Sequence, residues 1–177
     1  MKNWITLFSQ TGSEIYNISK ILGKFPDRII TNNLDIENIN QDLLREAYDR
    51  FWCVESKPSA EEYETFLTED SIITMHGWLR VVPPSICNKF TIYNLHPAPL
   101  TRYPHLKGKD PQKRIFNEGL EYGGNTIHKC TSELDSGEIL LENEVSVKGK
   151  SLDEIFCKTH NAASKLWIQF LASKISE

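Results

Sequence analysis

The stretch NWITLFSQTGSEIYNISKIL, residues 3–22, decides the fold. Its first part, Trp4–Phe8, is a short apolar run that predicts a buried strand, and Ser9–Gly12 follows as a turn of small and polar residues. From Ser13 onward, apolar residues recur at helical spacing and predict a helix with one buried face. The buried positions of this predicted helix are Ile15, Ile18, Ile21 and Leu22. A strand, a turn and a helix in this order form the first half of a βαβ unit.

The same alternation of strands and helices continues along the chain. Further strands are predicted at residues 27–32, 51–54, 72–75, 90–96, 125–130 and 138–145. Helices are predicted at residues 41–51, from residue 59 onward, at 111–123 and at 151–175, the last with Ile155, Ala162, Leu166, Phe170 and Leu171 on its buried side. The segments 77–84 and 97–112 are predicted to be loops. This order indicates an α/β fold, a three-layer sandwich built on a mainly parallel, Rossmann-like sheet.

The length and composition of the chain limit its possible functions. With 177 residues, 40% of them apolar, the chain is predicted to form a single domain over residues 1–177. Its net charge is −4 and no basic block stands out, so we expect no nucleic-acid partner. Four scattered cysteines without a C-x-x-C pair fit reduced thiols. Because neither a signal-peptide cleavage site nor a membrane-length apolar run is evident, we expect no membrane association and a cytoplasmic location.

Four loops that carry polar side chains are predicted at the carboxyl ends of strands. They are SQTGSE at residues 9–14, HGWLRVV at 76–82, NLHPAPL at 94–100 and SELDSG at 132–137. In open α/β sheets, ligands bind outside the carboxyl ends of the strands, where loops from neighbouring strands meet. We therefore expect the functional site among these loops.

The first of these loops has the composition of an anion site. Thr11, Gly12 and Ser13 offer small side chains and free N–H groups at the start of a helix, where the helix dipole favours negative charge. Any turn from a strand into a helix also needs small residues and an N-cap, so a purely structural role explains the same residues. The loop matches neither the G-x-G-x-x-G of dinucleotide folds nor the G-x-x-x-x-G-K of a P-loop.

Asn94 and His96 are two positions apart at the end of a predicted strand, so their side chains point to the same face. An amide in this place can donate a hydrogen bond to an oxyanion, and an imidazole can exchange a proton. Asp135, in the loop SELDSG, could orient the imidazole or pair with its charge if that loop lies beside the strand. From the residues alone, a capped strand end and a solvated turn remain an open alternative.

Longer runs of the sequence are similar to a known family. NLHPAPLTRYPHLKG, residues 94–108, resembles the Asn-x-His-Pro-x-x-Leu-x-x-(Tyr or Phe)-x-x-x-x-Gly pattern of the folate-dependent formyltransferases, especially the phosphoribosylglycinamide formyltransferases. GGNTIHKCTSELDSGEILLE, residues 123–142, resembles their Gly-x-Thr-x-His segment and the loop ending in Asp-x-Gly that follows it. SIITMHGWLRVVPPSI at 71–86 is similar to their hydrophobic strand and pterin-binding segment, and LFSQTGSEI at 7–15 to their phosphate loop. The resemblance implies a formyltransferase-like fold.

The resemblance also implies a chemistry in which an amine attacks the formyl carbon of 10-formyltetrahydrofolate. Asn94 would donate to the oxyanion, His96 would stabilise it or pass a proton to the departing folate nitrogen, and Asp135 would raise the proton affinity of His96 or accept the amine proton. The implied folate-binding residues are Trp78, Leu79, Arg80, Val81, Val82, Ser132, Glu133 and Leu134, the implied substrate-binding residues are Thr11, Gly12 and Ser13, and Thr126 and His128 would support the site. Plain core packing explains Trp78, Val82 and His128 as well. No H-E-x-x-H or paired-cysteine pattern predicts a metal site.

The sequence departs from the family pattern at places that concern the amine substrate. Gln10 and Glu14 stand where the phosphate loop of the family has glycine and asparagine, and Glu14 adds a negative charge there. The last helix has Ala162 and Ala163 where Gln and Glu would meet the ribose and phosphate side of glycinamide ribonucleotide. Four cations lie close together in the sequence, namely Lys107, Lys109, Lys113 and Arg114. They could bind an anionic substrate or the folate tail, or they could be solvated side chains at the start of a helix.

The sequence therefore leaves more than one function open. We expect formyl transfer to a small amine, with glycinamide ribonucleotide or a related phosphorylated or sugar-like amine as the acceptor. Formylation of a sugar-nucleotide amine and hydrolysis of 10-formyltetrahydrofolate are the alternatives. A third alternative is a folate- or nucleotide-binding module without catalysis. The sequence predicts no oligomeric state.

Overall fold

Within residues 2–176, which the computed structural model describes, seven β-strands form one sheet. The strands are β1 (Trp4–Phe8), β2 (Arg28–Thr31), β3 (Phe51–Cys53), β4 (Ile72–Met75), β5 (Ile92–His96), β6 (Tyr122–Lys129) and β7 (Ile139–Ser146). Their order across the sheet is β3-β2-β1-β4-β5-β6-β7. β1 pairs in parallel with β2 and β4, and β2 with β3, while β6 and β7 pair antiparallel. The predicted α/β fold on a mainly parallel sheet is confirmed.

The described part of the chain contains six α-helices, and most of them match a predicted helix. They are α1 (Ser13–Leu22), α2 (Gln41–Ala47), α3 (Ala60–Phe66), α4 (Pro84–Lys89), α5 (Pro111–Asn117) and α6 (Leu152–Ile175). The positions of α6 that we expected to be buried are buried, namely Ile155, Ala162, Leu166, Phe170 and Leu171. No helix within residues 2–176 is long and apolar enough to span a bilayer.

Helix α4 directly follows the predicted loop and was not predicted; Pro84 starts it at a position where a backbone N–H has no intrahelical partner. Three predictions about the helices are wrong. The helix predicted at residues 41–51 ends at Ala47, and a 3-10 turn, Tyr48–Arg50, leads from it into β3. The helix predicted at residues 111–123 ends at Asn117, since Gly119 takes a left-handed φ of 61° and turns the chain towards β6. Ile21, which we expected on the buried face of α1, is 68% exposed.

The chain divides into two compact units, of which the first contains residues 2–93 and 171–176. Every residue of β1 is buried, because a strand with parallel neighbours on both edges is covered on both faces of the sheet. Phe8 meets Phe51 edge to face, with ring centroids 6.3 Å apart. One buried cluster of this unit consists of Phe8, Ile15, Ile29, Ile39, Leu43 and Ala47.

The second unit contains residues 94–170. Two amide side chains, Asn125 on β6 and Asn143 on β7, join these strands to α6. The Asn125 amide nitrogen donates to Asn143 Oδ1 at 3.1 Å and to the Thr159 carbonyl at 2.9 Å, and the Asn143 amide nitrogen donates to the Ala162 carbonyl at 2.8 Å. The apolar cluster of this unit consists of Ala98, Leu100, Leu106, Ile115, Val147 and Ile155.

Candidate active site

The end of β5 carries two of the predicted catalytic residues. Asn94 is half-buried, and His96 is buried with 5% of its surface exposed. The strand ends at His96 because Pro97 and Pro99 follow, and proline offers no backbone N–H to a neighbouring strand. The chain therefore leaves the sheet directly after the imidazole.

The imidazole of His96 lies between two hydrogen-bond acceptors. Its Nδ1 is 3.1 Å from Oδ2 of Asp135, and its Nε2 is 2.8 Å from the carbonyl oxygen of Leu106. Because both neighbours are acceptors, both hydrogen bonds exist together only when each ring nitrogen carries a proton. The Asp135 carboxylate and the Leu106 carbonyl thus fix the orientation of the ring, and the contact between His96 and Asp135 that the sequence left open is present.

The carboxylate of Asp135 is buried and in contact with three groups. Its Oδ2 accepts a hydrogen bond from the backbone N–H of Gly108 at 3.0 Å and faces His96, while its Oδ1 lies 3.4 Å from Nε2 of His128. Burial acts to raise the pKa of Asp135, but the contacts with His128 and His96, the charge of His96 and the Gly108 N–H outweigh it. The pKa of Asp135 therefore lies well below its ordinary value, and the residue is a carboxylate at neutral pH.

A short turn at residues 104–108 holds both groups of the pair. Its Leu106 carbonyl bonds His96, and its Gly108 N–H bonds Asp135. Arg114 on α5 donates to the carbonyls of His105 and Lys107 and so fixes the turn from outside. Leu106 and Gly108 were not predicted as site residues, because they act through backbone atoms.

The cations of this segment already have partners. Lys107 donates to Ser136 Oγ at 3.0 Å, and Lys113 lies 3.6 Å from Asp110. Together with the bonds of Arg114, these contacts mean that three of the four cations already have partners in the second unit.

The Asn94 amide is available to a ligand. Among residues 2–176 its side chain forms no hydrogen bond, although it is half-buried. It stands two residues before His96 and on the same face of β5.

Thr126 and His128 on β6 both lie close to the segments that form the site. The Thr126 hydroxyl accepts a hydrogen bond from the Leu100 N–H at 3.0 Å and lies 2.8 Å from the Ala98 carbonyl, so it holds the chain after β5. His128 is 2% exposed, and its Nδ1 faces the Lys129 carbonyl at 3.0 Å. Thr126 therefore supports the exit from β5, and His128 supports Asp135.

The low pKa of Asp135 predicts an acid-dependent loss of stability. A carboxyl group whose pKa is depressed by folding stabilises the folded state above its unfolded pKa of about 4, and this contribution is lost as the pH falls towards the folded pKa. We expect the wild type to exceed Asp135→Asn in free energy of unfolding by about 2 kcal/mol near pH 6, and this difference to shrink below about pH 4. Urea denaturation of both proteins at several pH values measures it, and a difference that grows on acidification would contradict the assignment.

The predicted folate-binding segment 78–82 lies in the first unit and divides into buried and exposed residues. Trp78 and Val82 are buried, and the Trp78 indole donates to the hydroxyl of Tyr63 at 2.9 Å. Leu79 and Val81 are 59% and 85% exposed. A cavity of about 380 Å³ is lined by Lys57, Pro58, Leu79, Arg80 and Val81. Core packing therefore accounts for Trp78 and Val82, while Leu79 and Val81 present apolar surface.

The other predicted folate-binding residues, Ser132, Glu133 and Leu134, are exposed in the loop of the second unit that precedes Asp135. The backbone of this loop is turned sharply, since Asp135 has a φ of 51°. Aspartate tolerates this left-handed region better than most residues. The turn directs the Asp135 side chain inward while residues 132–134 remain at the surface.

The predicted substrate-binding residues Thr11, Gly12 and Ser13 form the turn from β1 into α1. Gly12 is the N-cap residue with a φ of 73°, and a Cβ at this position would come within 2.8 Å of Leu43 Cδ2. The hydroxyl groups of Thr11 and Ser13 are 3.0 Å apart, and the Asn40 amide donates to Ser13 Oγ at 3.3 Å. Conformation and close packing thus require a glycine at residue 12.

Two residues of the first unit, Glu14 and His76, are joined by a side-chain hydrogen bond that was not predicted. Nδ1 of His76 lies 2.9 Å from Oε2 of Glu14. Glu14 is the last residue of the loop 9–14, and His76 is the first residue of the loop 76–82. Both loops were predicted at carboxyl ends of strands, and this shared location could have indicated the contact.

Within residues 2–176, no group of three or more His, Cys, Asp or Glu side chains is placed to hold a metal ion. The cysteines are free thiols. Cys53 and Cys157 are exposed, and Cys87 and Cys130 are half-buried.

Solved structures of similar fold are phosphoribosylglycinamide formyltransferases. The one from Anaplasma phagocytophilum has a TM-score of 0.81 at 22% identity and covers 96% of this chain and 85% of its own. The one from Campylobacter jejuni has a TM-score of 0.81 at 19% identity, with 98% and 97% covered. At these identities the likeness shows the fold, which is the formyltransferase-like fold that the sequence resemblance implies.

Sequence relatives carry two different names. The phosphoribosylglycinamide formyltransferase of Escherichia coli (strain K12) is 29% identical over 114 residues, 63% of this chain and 48% of that protein. The enzyme of the same name from Dictyostelium discoideum is 30% identical over 118 residues, 58% of this chain and 56% of that protein. A methionyl-tRNA formyltransferase from Thermotoga maritima is 35% identical over 80 residues, 45% of this chain and 25% of that protein. The chain spans about half the length of the first two relatives.

The sequence profile of the family described as Formyl transferase matches residues 53–171. This match covers most of the chain and includes Asn94, His96 and Asp135. It agrees with the sheet order, the likeness to solved structures and the motifs around the buried pair. The chain therefore belongs to the formyl transferase family.

Proposed function

We propose that the protein is an N-formyltransferase that moves a formyl group from 10-formyltetrahydrofolate to a small amine. The observation that carries this proposal is the 3.1 Å contact between two buried groups, His96 Nδ1 and Asp135 Oδ2, next to the unpaired amide of Asn94. A module that only binds a ligand does not need an oxyanion donor, a titratable ring and a carboxylate in one place. We further propose that residues 1–177 form one catalytic domain.

The roles of the three side chains follow from their chemistry. Bound 10-formyltetrahydrofolate would supply an activated formyl group. The Asn94 amide donates to the formyl oxygen as negative charge develops there, and the imidazolium of His96 adds positive charge or passes a proton to the departing nitrogen. Asp135 balances the charge of His96 and can accept the proton that the amine loses. In total, the formyl carbon exchanges one C–N bond for another, and one proton moves from the amine to the donor nitrogen.

Folate binding is proposed for the residues of two loops. The exposed apolar side chains of Leu79 and Val81, beside a cavity that Lys57 and Arg80 also line, fit a ligand with an apolar ring system and an anionic tail. The proposed folate-binding ranges are 78–82 and 132–134. Thr11, Gly12 and Ser13 are proposed to bind the amine substrate.

The first acceptor to test is glycinamide ribonucleotide, because two of the relatives are named phosphoribosylglycinamide formyltransferases. A sugar-nucleotide amine is the second candidate, because the carboxylate of Glu14 in the first turn of α1 disfavours a phosphate at that loop. Hydrolysis of the donor by water is the remaining outcome that the same side chains could support.

Incubation with 10-formyltetrahydrofolate distinguishes these functions. The purified protein is mixed with the donor and with glycinamide ribonucleotide, a sugar-nucleotide amine or no amine, and the release of tetrahydrofolate is followed by absorbance. Amine-dependent release is expected and identifies the acceptor. Release at an unchanged rate without any amine indicates a hydrolase, and saturable binding of the donor without release under any condition would contradict an enzymatic function.

Asn94→Ala is expected to slow formyl transfer without loss of folding. Removal of one oxyanion donor raises the barrier by about 3 kcal/mol, which lowers kcat by about 100-fold to 1,000-fold. Steady-state kinetics with a saturating donor measures this change. The control is Asn17→Ala, which removes an exposed amide on α1. An Asn94→Ala rate equal to that of the control would exclude the proposed oxyanion contact.

A further inference from the structure

The first turn of α1 carries a carboxylate of its own. Oε2 of Glu14 is 2.9 Å from Nδ1 of His76, which directly follows β4 and has a side chain that is only 1% exposed. The Glu14 side chain is 18% exposed, so part of it faces solvent. The N-terminal end of a helix stabilises negative charge, and Glu14 lies in the first turn of α1.

A series of buried hydrogen bonds ends on this carboxylate. The Trp4 indole N–H, which can only donate, bonds Thr74 Oγ1 at 2.8 Å, and Thr74 Oγ1 lies 3.0 Å from Nε2 of His76. Nδ1 of His76 in turn lies 2.9 Å from Oε2 of Glu14. The buried contacts from Trp4 through Thr74 and His76 therefore end on the Glu14 carboxylate and hold it in one place.

The rest of the loop does not neutralise Glu14. The segment SQTGSE, residues 9–14, contains no lysine or arginine. Its contacts to the following segment come from neutral amides: Asn33 donates to the Gln10 carbonyl at 2.7 Å, and Asn40 donates to Ser13 Oγ at 3.3 Å. The loop thus presents hydroxyl groups, backbone N–H groups and one carboxylate.

We propose that Glu14 makes this loop select against phosphate, so that the amine acceptor presents a hydroxyl or a cationic group to residues 11–14. The inference rests on the proposed function, because it takes residues 11–13 as the acceptor-binding loop. A phosphate dianion at the start of α1 would meet the like charge of Glu14, whereas a hydroxyl or ammonium group can donate to its free lone pairs. His76 and Glu14 therefore act as residues that determine the class of acceptor.

The test compares one amine with and without its phosphate. Glycinamide ribonucleoside and glycinamide ribonucleotide carry the same reacting amine, and the ratio of their kcat/KM values measures the preference. We expect the wild type to favour the ribonucleoside by about tenfold or more, and Glu14→Gln, which keeps the shape but removes the charge, to lower this ratio by about tenfold or more. The control Glu46→Gln, at an exposed glutamate paired with Lys20, should leave the ratio unchanged.

Binding of inorganic phosphate supplies a second readout that needs no turnover. Amide chemical shifts of Gly12 and Ser13 are followed by NMR during titration of each protein. We expect saturable shifts in Glu14→Gln and none in the wild type. A wild type that prefers the ribonucleotide, or that binds phosphate at these amides, overturns the inference while formyl transfer itself still stands. An unchanged preference and unchanged phosphate binding in Glu14→Gln overturn it as well, and absence of formyl transfer to either amine counts against the proposed function alone.

Discussion

His96→Ala is expected to reduce the rate of formyl transfer by about 100-fold to 10,000-fold, the range typical for loss of a general acid or base. The imidazole is in contact with both Asp135 and the Leu106 carbonyl, and alanine removes the charge and the proton that these contacts hold in place. Measurement of kcat and kcat/KM with a saturating amine gives the loss. Both constants should fall together, because the lost interaction acts in the transition state of formyl transfer.

The matched control for this experiment is His105→Ala. His105 belongs to the same turn, but its side chain is half exposed and pairs with Glu118 at 2.8 Å. We expect the control to keep its rate within about threefold, since surface ion pairs contribute little. Circular dichroism and urea denaturation establish that both variants are folded. A folded His96→Ala enzyme that is as fast as the control would remove the imidazole from the mechanism.

Gly137→Ala is expected to cause the largest loss of stability, roughly 3 kcal/mol or more. A Cβ on Gly137 would stand 1.8 Å from the Lys129 carbonyl oxygen and 2.8 Å from its carbonyl carbon. Both are backbone atoms at the end of β6, where the Lys129 N–H also bonds the Glu138 carbonyl at 2.9 Å. The contact can be relieved only by moving the base of the loop that carries Asp135. We therefore expect formyl transfer to fall as well.

Gly149→Ala provides the comparison for Gly137→Ala. Gly149 has a φ of 69°, but no atom lies within 4 Å of a Cβ built on it. Its substitution should cost only the backbone strain of a left-handed residue, about 1 kcal/mol, and leave the site intact. Urea denaturation of the two variants gives both free energies of unfolding. Equal losses would mean that the close approach between residues 129 and 137 does not constrain the loop.

Much of the fold could be predicted from hydrophobic periodicity alone. The β1 strand and the start of α1 were predicted at the residues where they occur, because a buried parallel strand and an amphipathic helix leave clear patterns. Helix α4 could not be predicted in this way, since it is only six residues long and begins with proline, which was interpreted as a loop signal. The early end of α5 was missed because it depends on the conformation of one glycine, Gly119.

The candidate site could be predicted only where side chains form it. Asn94, His96 and Asp135 stood out because their types suit the chemistry, and the structure brings the last two into contact. The Leu106 carbonyl and the Gly108 N–H are backbone groups, so even the motif that ends at Gly108 does not show which of them contacts the site. The pairing of Glu14 with His76 joins residues 62 positions apart and depends on β1 and β4 lying side by side.

The hydrogen bond between His96 and the Leu106 carbonyl limits how the imidazole of the unliganded protein can reach a reactant. With Nδ1 facing Asp135 and Nε2 facing Leu106, the ring has no nitrogen left to touch a bound reactant. Direct proton delivery from Nε2 of His96 therefore requires its hydrogen bond to the Leu106 carbonyl to break first. Binding of the reactants would then have to displace the turn at residues 104–106. A ¹³C label in the Leu106 carbonyl would report that release as a change in its resonance.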